Sequence, residues 1–182
     1  KSESQPDRLN FGHVATDLMY DNLMNKFKWG GMNNPHVYID ENNMRMMTNI
    51  RNSFNRLADA LITEGKKDSA VAVADRCFEL IPMDLVTPEY FTIQLADSYF
   101  KAGATEKGLN ALSDAYSIFD DELSYFFSLK PKFIQTEGMN EEIQRDIFYL
   151  QIMERIARSN GQTEFAKKVA DSMQAYFARY SG

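Results

Sequence analysis

The stretch FNRLADALITEGKKDSAVAVADRCFELIP, residues 54–82, decides the fold. Phe54, Leu57, Ala58 and Leu61 recur at three- and four-residue steps, the period of a helix with one apolar face. Gly65 interrupts the pattern, and Ala70, Ala74 and Cys77 resume it on a second helix that Pro82 stops, because proline has no N–H to donate. Outward from here, the same arrangement recurs about Gly103 and Gly161. Seven residues ahead of the three glycines stand Ala58, Ala96 and Glu154, and four ahead stand Leu61, Tyr99 and Ala157. Five residues after them come Ala70, Gly108 and Ala166, and twelve after come Cys77, Ala115 and Met173. Short side chains at these places let two antiparallel helices approach to about 8–10 Å.

This is the pattern of a tetratricopeptide unit, a helix–turn–helix of about 34 residues. The first unit fits best; the second has Thr92 where an aromatic is expected, and the third has Glu154 where a small residue is expected. The expected fold is all-α: a tetratricopeptide-like solenoid of helical hairpins with an N-terminal helix and loop packed on it. Residues 1–43 form that N-terminal part, and residues 44–182 form three helix pairs at about 44–82, 88–129 and 140–180, one cooperative domain overall. In the N-terminal part, Thr16-Asp17 caps a helix through Phe27 whose apolar side is Leu18, Leu23, Met24 and Phe27, and Gly30-Gly31 ends it. Asn42 or Asn43 starts the next helix, running from Met44 to Thr63. Leu109, Leu112, Tyr116, Phe119, Leu123 and Phe126 predict one long helix from Thr105 to Leu129, ended by Lys130-Pro131. Asn140 starts the third pair, and Phe165, Tyr176, Phe177 and Tyr180 close the stack.

Composition narrows the work such a fold can do. In 182 residues there are 20 Lys and Arg against 26 Asp and Glu, a net charge of −6, which argues against nucleic-acid binding. No apolar run reaches the ~18 residues needed to span a bilayer. The single cysteine, Cys77, excludes an internal disulfide and a multi-cysteine zinc site. The start at Lys1, with no signal-peptide core, points to a piece of a longer chain.

Candidate chemistry is sparse. His13 and His36 could bind metal only by converging with carboxylates such as Asp17 or Asp40, and no helical HExxH spacing exists. They read better as surface or loop-packing residues, so no metal and no cofactor is expected. Cys77 stands where the repeat normally has alanine, which makes it a buried small residue and not a nucleophile. Acidic groups at Asp17/Asp21, Asp40-Glu41 and Asp120-Asp121-Glu122 read as helix starts and a polar helix face. Met44, Met46 and Met47 fit core packing against the N-terminal helix better than a plastic groove. Trp29, Asn33, Asn34 and Tyr38 combine rings with amides, as a sugar site would, although Trp29 reads better as a staple between the N-terminal helix and the first repeat.

Two stretches carry a family likeness: DLMYDNLMNKFKWGGMNNPHVYIDENNMRMMTNIR (17–51) and GKKDSAVAVADRCFELIP (65–82). They resemble the soluble C-terminal region of large bacterial multi-pass membrane proteins. The N-terminal half of those proteins is similar to glycosyltransferases that use lipid-linked sugars, such as protein O-mannosyltransferases. The resemblance implies a non-catalytic module facing the periplasm and attached to the membrane through its parent chain. It carries no catalytic residue onto this sequence.

The first helices of stacked pairs line the concave side of a solenoid. Asn52, Asn55, Asp59, Tyr90, Asp97, Lys101, Gln151, Arg155 and Arg158 therefore form the expected groove for a protein or peptide partner. Glycan binding through Trp29, Asn33, Asn34 and Tyr38, or a purely bracing or dimerising role, are the alternatives. An enzymatic role for this piece has no convergent acid, base or nucleophile behind it.

Overall fold

Three glycine turns repeat one hydrogen-bond motif. Gly65 N–H donates to Ile62 O and Lys66 N–H to Leu61 O; Gly103 and Ala104 donate to Phe100 and Tyr99; Gly161 and Gln162 donate to Arg158 and Ala157. The glycines sit at φ +77°, +92° and +73°, the left-handed region that a side chain disfavours. Each turn thus closes a helix with the same two bonds, and the next helix folds back along it.

The computed structural model describes residues 14–130, 134 and 136–180. Its helices are α1 (Thr16–Asp21), continued by a π-helical turn (Asn22–Lys26), α2 (Glu41–Thr63), α3 (Lys67–Leu80), α4 (Tyr90–Ala102), α5 (Thr105–Ser128), α6 (Glu137–Ser159) and α7 (Thr163–Tyr180). The described residues contain no strand. They also contain no helix long and apolar enough to cross a membrane.

The hairpins α2/α3, α4/α5 and α6/α7 pack in sequence order. α4 lies against both α2 and α3, and α6 lies against both α4 and α5. The small residues sit at these crossings: Ala58, Ala70, Ala74, Cys77, Ala96, Ala115, Ala157 and Ala166 are all buried. Gly108 is tightest, because a Cβ there would meet the Phe100 ring at 2.8 Å. Phe54, Leu57, Leu95, Leu112, Phe119, Leu123, Ile143 and Leu150 fill the seam between them, all fully buried.

Arg51, only 1% exposed, organises the connection from α3 to α4. Its guanidinium donates to the carbonyls of Val86 (2.7 Å), Thr87 (2.9 Å) and Ile81 (3.2 Å). Glu89 stands 4.0 Å away and caps α4, its side chain taking the Phe91 N–H while Thr92 Oγ1 accepts the Glu89 N–H. The buried loop carbonyls thereby find a donor that the loop itself lacks.

The N-terminal part packs on the first hairpin. Leu23 is buried, and Thr16 Oγ1 donates to Glu64 at 2.9 Å. Lys66 pairs with Asp17 and Glu64, both at 2.9 Å.

Several expected details change. Leu18 and Phe27 are exposed instead of facing the core: Leu18 stands five residues ahead of the buried Leu23, about 140° around a regular helix, and Phe27 follows the end of the π-helical turn. Thr16 is not a cap: Ala15 holds the N-cap position, and the Thr16 hydroxyl turns to Glu64. α2 begins at Glu41, since the Asp40 side chain accepts the Asn43 N–H and starts the helix ahead of Asn42 and Asn43. α6 begins at Glu137, ahead of Asn140. Of the methionines, Met47 is buried, but Met44 and Met46 are exposed. At the far end, Phe165 and Tyr176 close the stack while Phe177 faces outward, and Pro131 and the side chain of Tyr180 lie outside the described residues.

Candidate functional site

α2, α4 and α6 stand side by side, and the polar residues of one face meet near their C-terminal ends. Arg51 reaches Thr87 ahead of α4, and Asp59, two turns further along α2, reaches Lys101; α2 and α4 therefore run parallel. Lys101 Nζ lies 3.0 Å from Asp97 and 3.4 Å from Asp59. Asn160, capping α6, offers its amide N–H to Asp97 Oδ1 at 3.4 Å. One cation thus bridges two carboxylates across the groove between α2 and α4. Burial raises the Asp59 carboxyl, with Lys101 pulling the other way. Burial also works against the Lys101 charge, but Asp59 and Asp97 outweigh it and raise that ammonium.

One turn before Asp59, Asn55 is buried and its Oδ1 has no hydrogen-bond donor among the described residues. Such an atom costs free energy until a donor reaches it. Asn52 beside it is half-buried.

The rest of the expected groove is less coherent. Tyr90 is half-buried against Phe91. Gln151, Arg155 and Arg158 are exposed on α6, and Arg158 pairs with Glu154 on its own helix. The α6 contribution to the cluster is Asn160, which carries no apolar-periodicity signal and escaped sequence reasoning.

The Trp29 loop divides in two. Trp29 packs on Phe54 (5.6 Å between ring centres) and on Phe27 (5.8 Å), so its ring staples the N-terminal segment to the first hairpin. Asn34 spends its side-chain oxygen on the His36 N–H, and Asn33 is exposed. Tyr38, 89% exposed, borders a separate apolar hollow of about 160 Å³ with Met32, Val37, Met46 and Met47. Trp29 does not line it.

The remaining candidates have structural partners. His36 is exposed, His13 lies outside the described residues, and no group of three or more metal-ligating side chains exists among the described residues. Cys77 is buried, and burial pushes its thiol up to about 12, far from a nucleophile's range. Asp17 pairs with Lys66, Asp40 caps α2, and Asp120 accepts the Tyr176 hydroxyl at 2.7 Å. Glu122 is different: it meets the fully buried Asp146 and Arg145 of α6, a contact between distant segments that spacing alone does not reveal. No family model, curated protein or solved structure matches the chain.

Proposed function

We propose that the chain is a tetratricopeptide-like solenoid acting as a non-catalytic docking module, which holds an extended polypeptide in the groove along α2, α4 and α6. The observation that carries this is the Asp59–Lys101–Asp97 bridge, which Asn160 joins from the end of α6, so that polar groups of three neighbouring helices meet on one face. The bridge offers charges of both signs to the side chains and backbone of a bound polypeptide. The groove is favoured over the Trp29 loop as a site because the Trp29 ring is already committed to Phe54. In the parent protein this module is the periplasmic appendage of a glycosyltransferase-like membrane protein, and its occupant is an acceptor or partner polypeptide. Several long apolar spans ahead of Lys1 in the intact gene product are expected on this reading.

The test is selection from a displayed random-peptide library on the immobilised chain. Peptides enriched on the wild type should be lost on an Asp97→Ala/Lys101→Ala variant whose thermal melt is unchanged. Absence of any enriched peptide, or equal retention by the variant, refutes the groove.

A further inference from the structure

The joint between α5 and α6 buries two carboxyl groups beside one cation. Asp146 is fully buried, and its Oδ1 accepts two bonds from Arg145, at 2.9 Å from Nε and 2.8 Å from Nη2. Glu122 Oε2, arriving from α5, stands 3.9 Å from the same Nη2, too far for a hydrogen bond. Glu122 Oε2 and Asp146 Oδ2 are both buried and have no N–H or hydroxyl donor among the described residues. Both carboxyl groups converge on the one Arg145 Nη2, Asp146 at 2.8 Å and Glu122 at 3.9 Å. A carboxylate has no proton to donate, so either orphaned oxygen finds a donor in the other group only if one carboxyl is protonated. Charge counting agrees: with Arg145 alone for both, the ionised pair would bury an unbalanced negative charge.

We propose that Glu122 and Asp146 share one proton across the α5–α6 joint, and that its loss loosens the terminal hairpin α6/α7 from α5. Burial first, and the Asp146 charge second, push the Glu122 carboxyl up to about 7. Other charges bear on the joint from each neighbouring element. Glu142 on α6 adds negative charge to the pair, and Glu89 at the start of α4 acts on Tyr149, one turn along α6 from Arg145. Glu41 and Arg45 of α2 stand across a hollow of about 210 Å³ that Arg145 and Tyr149 also line. From α7, Tyr176 donates to Asp120 on α5, two residues before Glu122.

The direction follows from proton counting. An unfolded glutamate releases its proton near pH 4.3, whereas the folded joint keeps it to about 7. Between these values the native state binds more protons, so stability falls as pH rises through this window and is level above it.

Two measurements on the full chain test this. Carboxyl-carbon NMR titration of the wild type should show a midpoint near 7 common to Glu122 and Asp146. Hydrogen exchange, corrected for the intrinsic pH effect, should show opening of α6 and α7 amides rising about three- to fivefold between pH 6 and 8.5, below the roughly tenfold of a fully shielded group because Glu122 is partly exposed. In Glu122→Gln the amide donates permanently to Asp146, and this pH dependence should vanish while the fold is retained. Both carboxyls titrating below pH 5, or an unchanged pH dependence in the glutamine variant, overturns the proposal. If that variant does not fold, the wild-type titration alone is decisive.

Discussion

Replacing Arg51 by methionine should destabilise the chain by about 3–5 kcal/mol, the range for removing one partner of a buried ion pair. Methionine has a similar length and keeps apolar contact, so packing is not the main loss. The guanidinium serves three carbonyls, and two of them, on Ile81 and Val86, belong to buried residues. Each becomes an acceptor without a donor, at about 1–3 kcal/mol. Thr87 is exposed, so its carbonyl returns to water at little cost. Glu89 loses its cation as well, but burial already raises its carboxyl, and protonation limits the damage. For a domain of this size the loss lowers Tm by roughly 10 °C. Arg51→Lys separates charge from shape: it keeps the cation but loses the planar fork, and should cost about half as much. Urea unfolding followed by far-UV circular dichroism measures both. A loss under about 1 kcal/mol for Arg51→Met, with an unchanged m-value, would mean the loop carbonyls have other donors and Arg51 does not organise the α3–α4 connection.

Two further outcomes follow from the packing. Gly108→Ala should gain up to about 1 kcal/mol of helix propensity but lose about 1–3 to the Phe100 ring, a net destabilisation that Phe100→Leu in the same chain should relieve in thermal melts. Cys77 in the native chain should react with an aromatic disulfide reagent at pH 8 roughly a thousandfold more slowly than in urea, and equal rates would show that the thiol is accessible.

The hairpin register was legible because it depends on local constraints. A left-handed glycine and a short side chain at a fixed distance from it leave the chain one way to fold back, and Gly65, Gly103 and Gly161 share the same two bonds. Cys77 read correctly as a small buried residue for the same reason. The N-terminal segment was harder. Leu18 and Leu23, five residues apart, are about 140° from one another on a regular helix, so one of them faces outward, and the wide turn at Asn22–Lys26 is announced by nothing local. The candidate groove was half legible. Periodicity placed Asp59, Asp97 and Lys101 on facing helix surfaces, yet it could not show that Lys101 bridges both acids or that Asn160 joins them. Arg51 and Asp146 do carry a readable signal. Each interrupts an apolar stripe, Arg51 between Met47 and Phe54 and Asp146 between Ile143 and Leu150, and a charge in such a place must find a partner inside the fold.

Trp29 is the sole tryptophan, and its ring rests on the fully buried Phe54. Indole emission from this protein therefore monitors a single seam, where the N-terminal strap meets the first hairpin. Ellipticity, by contrast, sums over every helix. Curves from the two probes superimpose only when strap and stack unravel as one unit, so any gap between them gives the stability of the strap by itself.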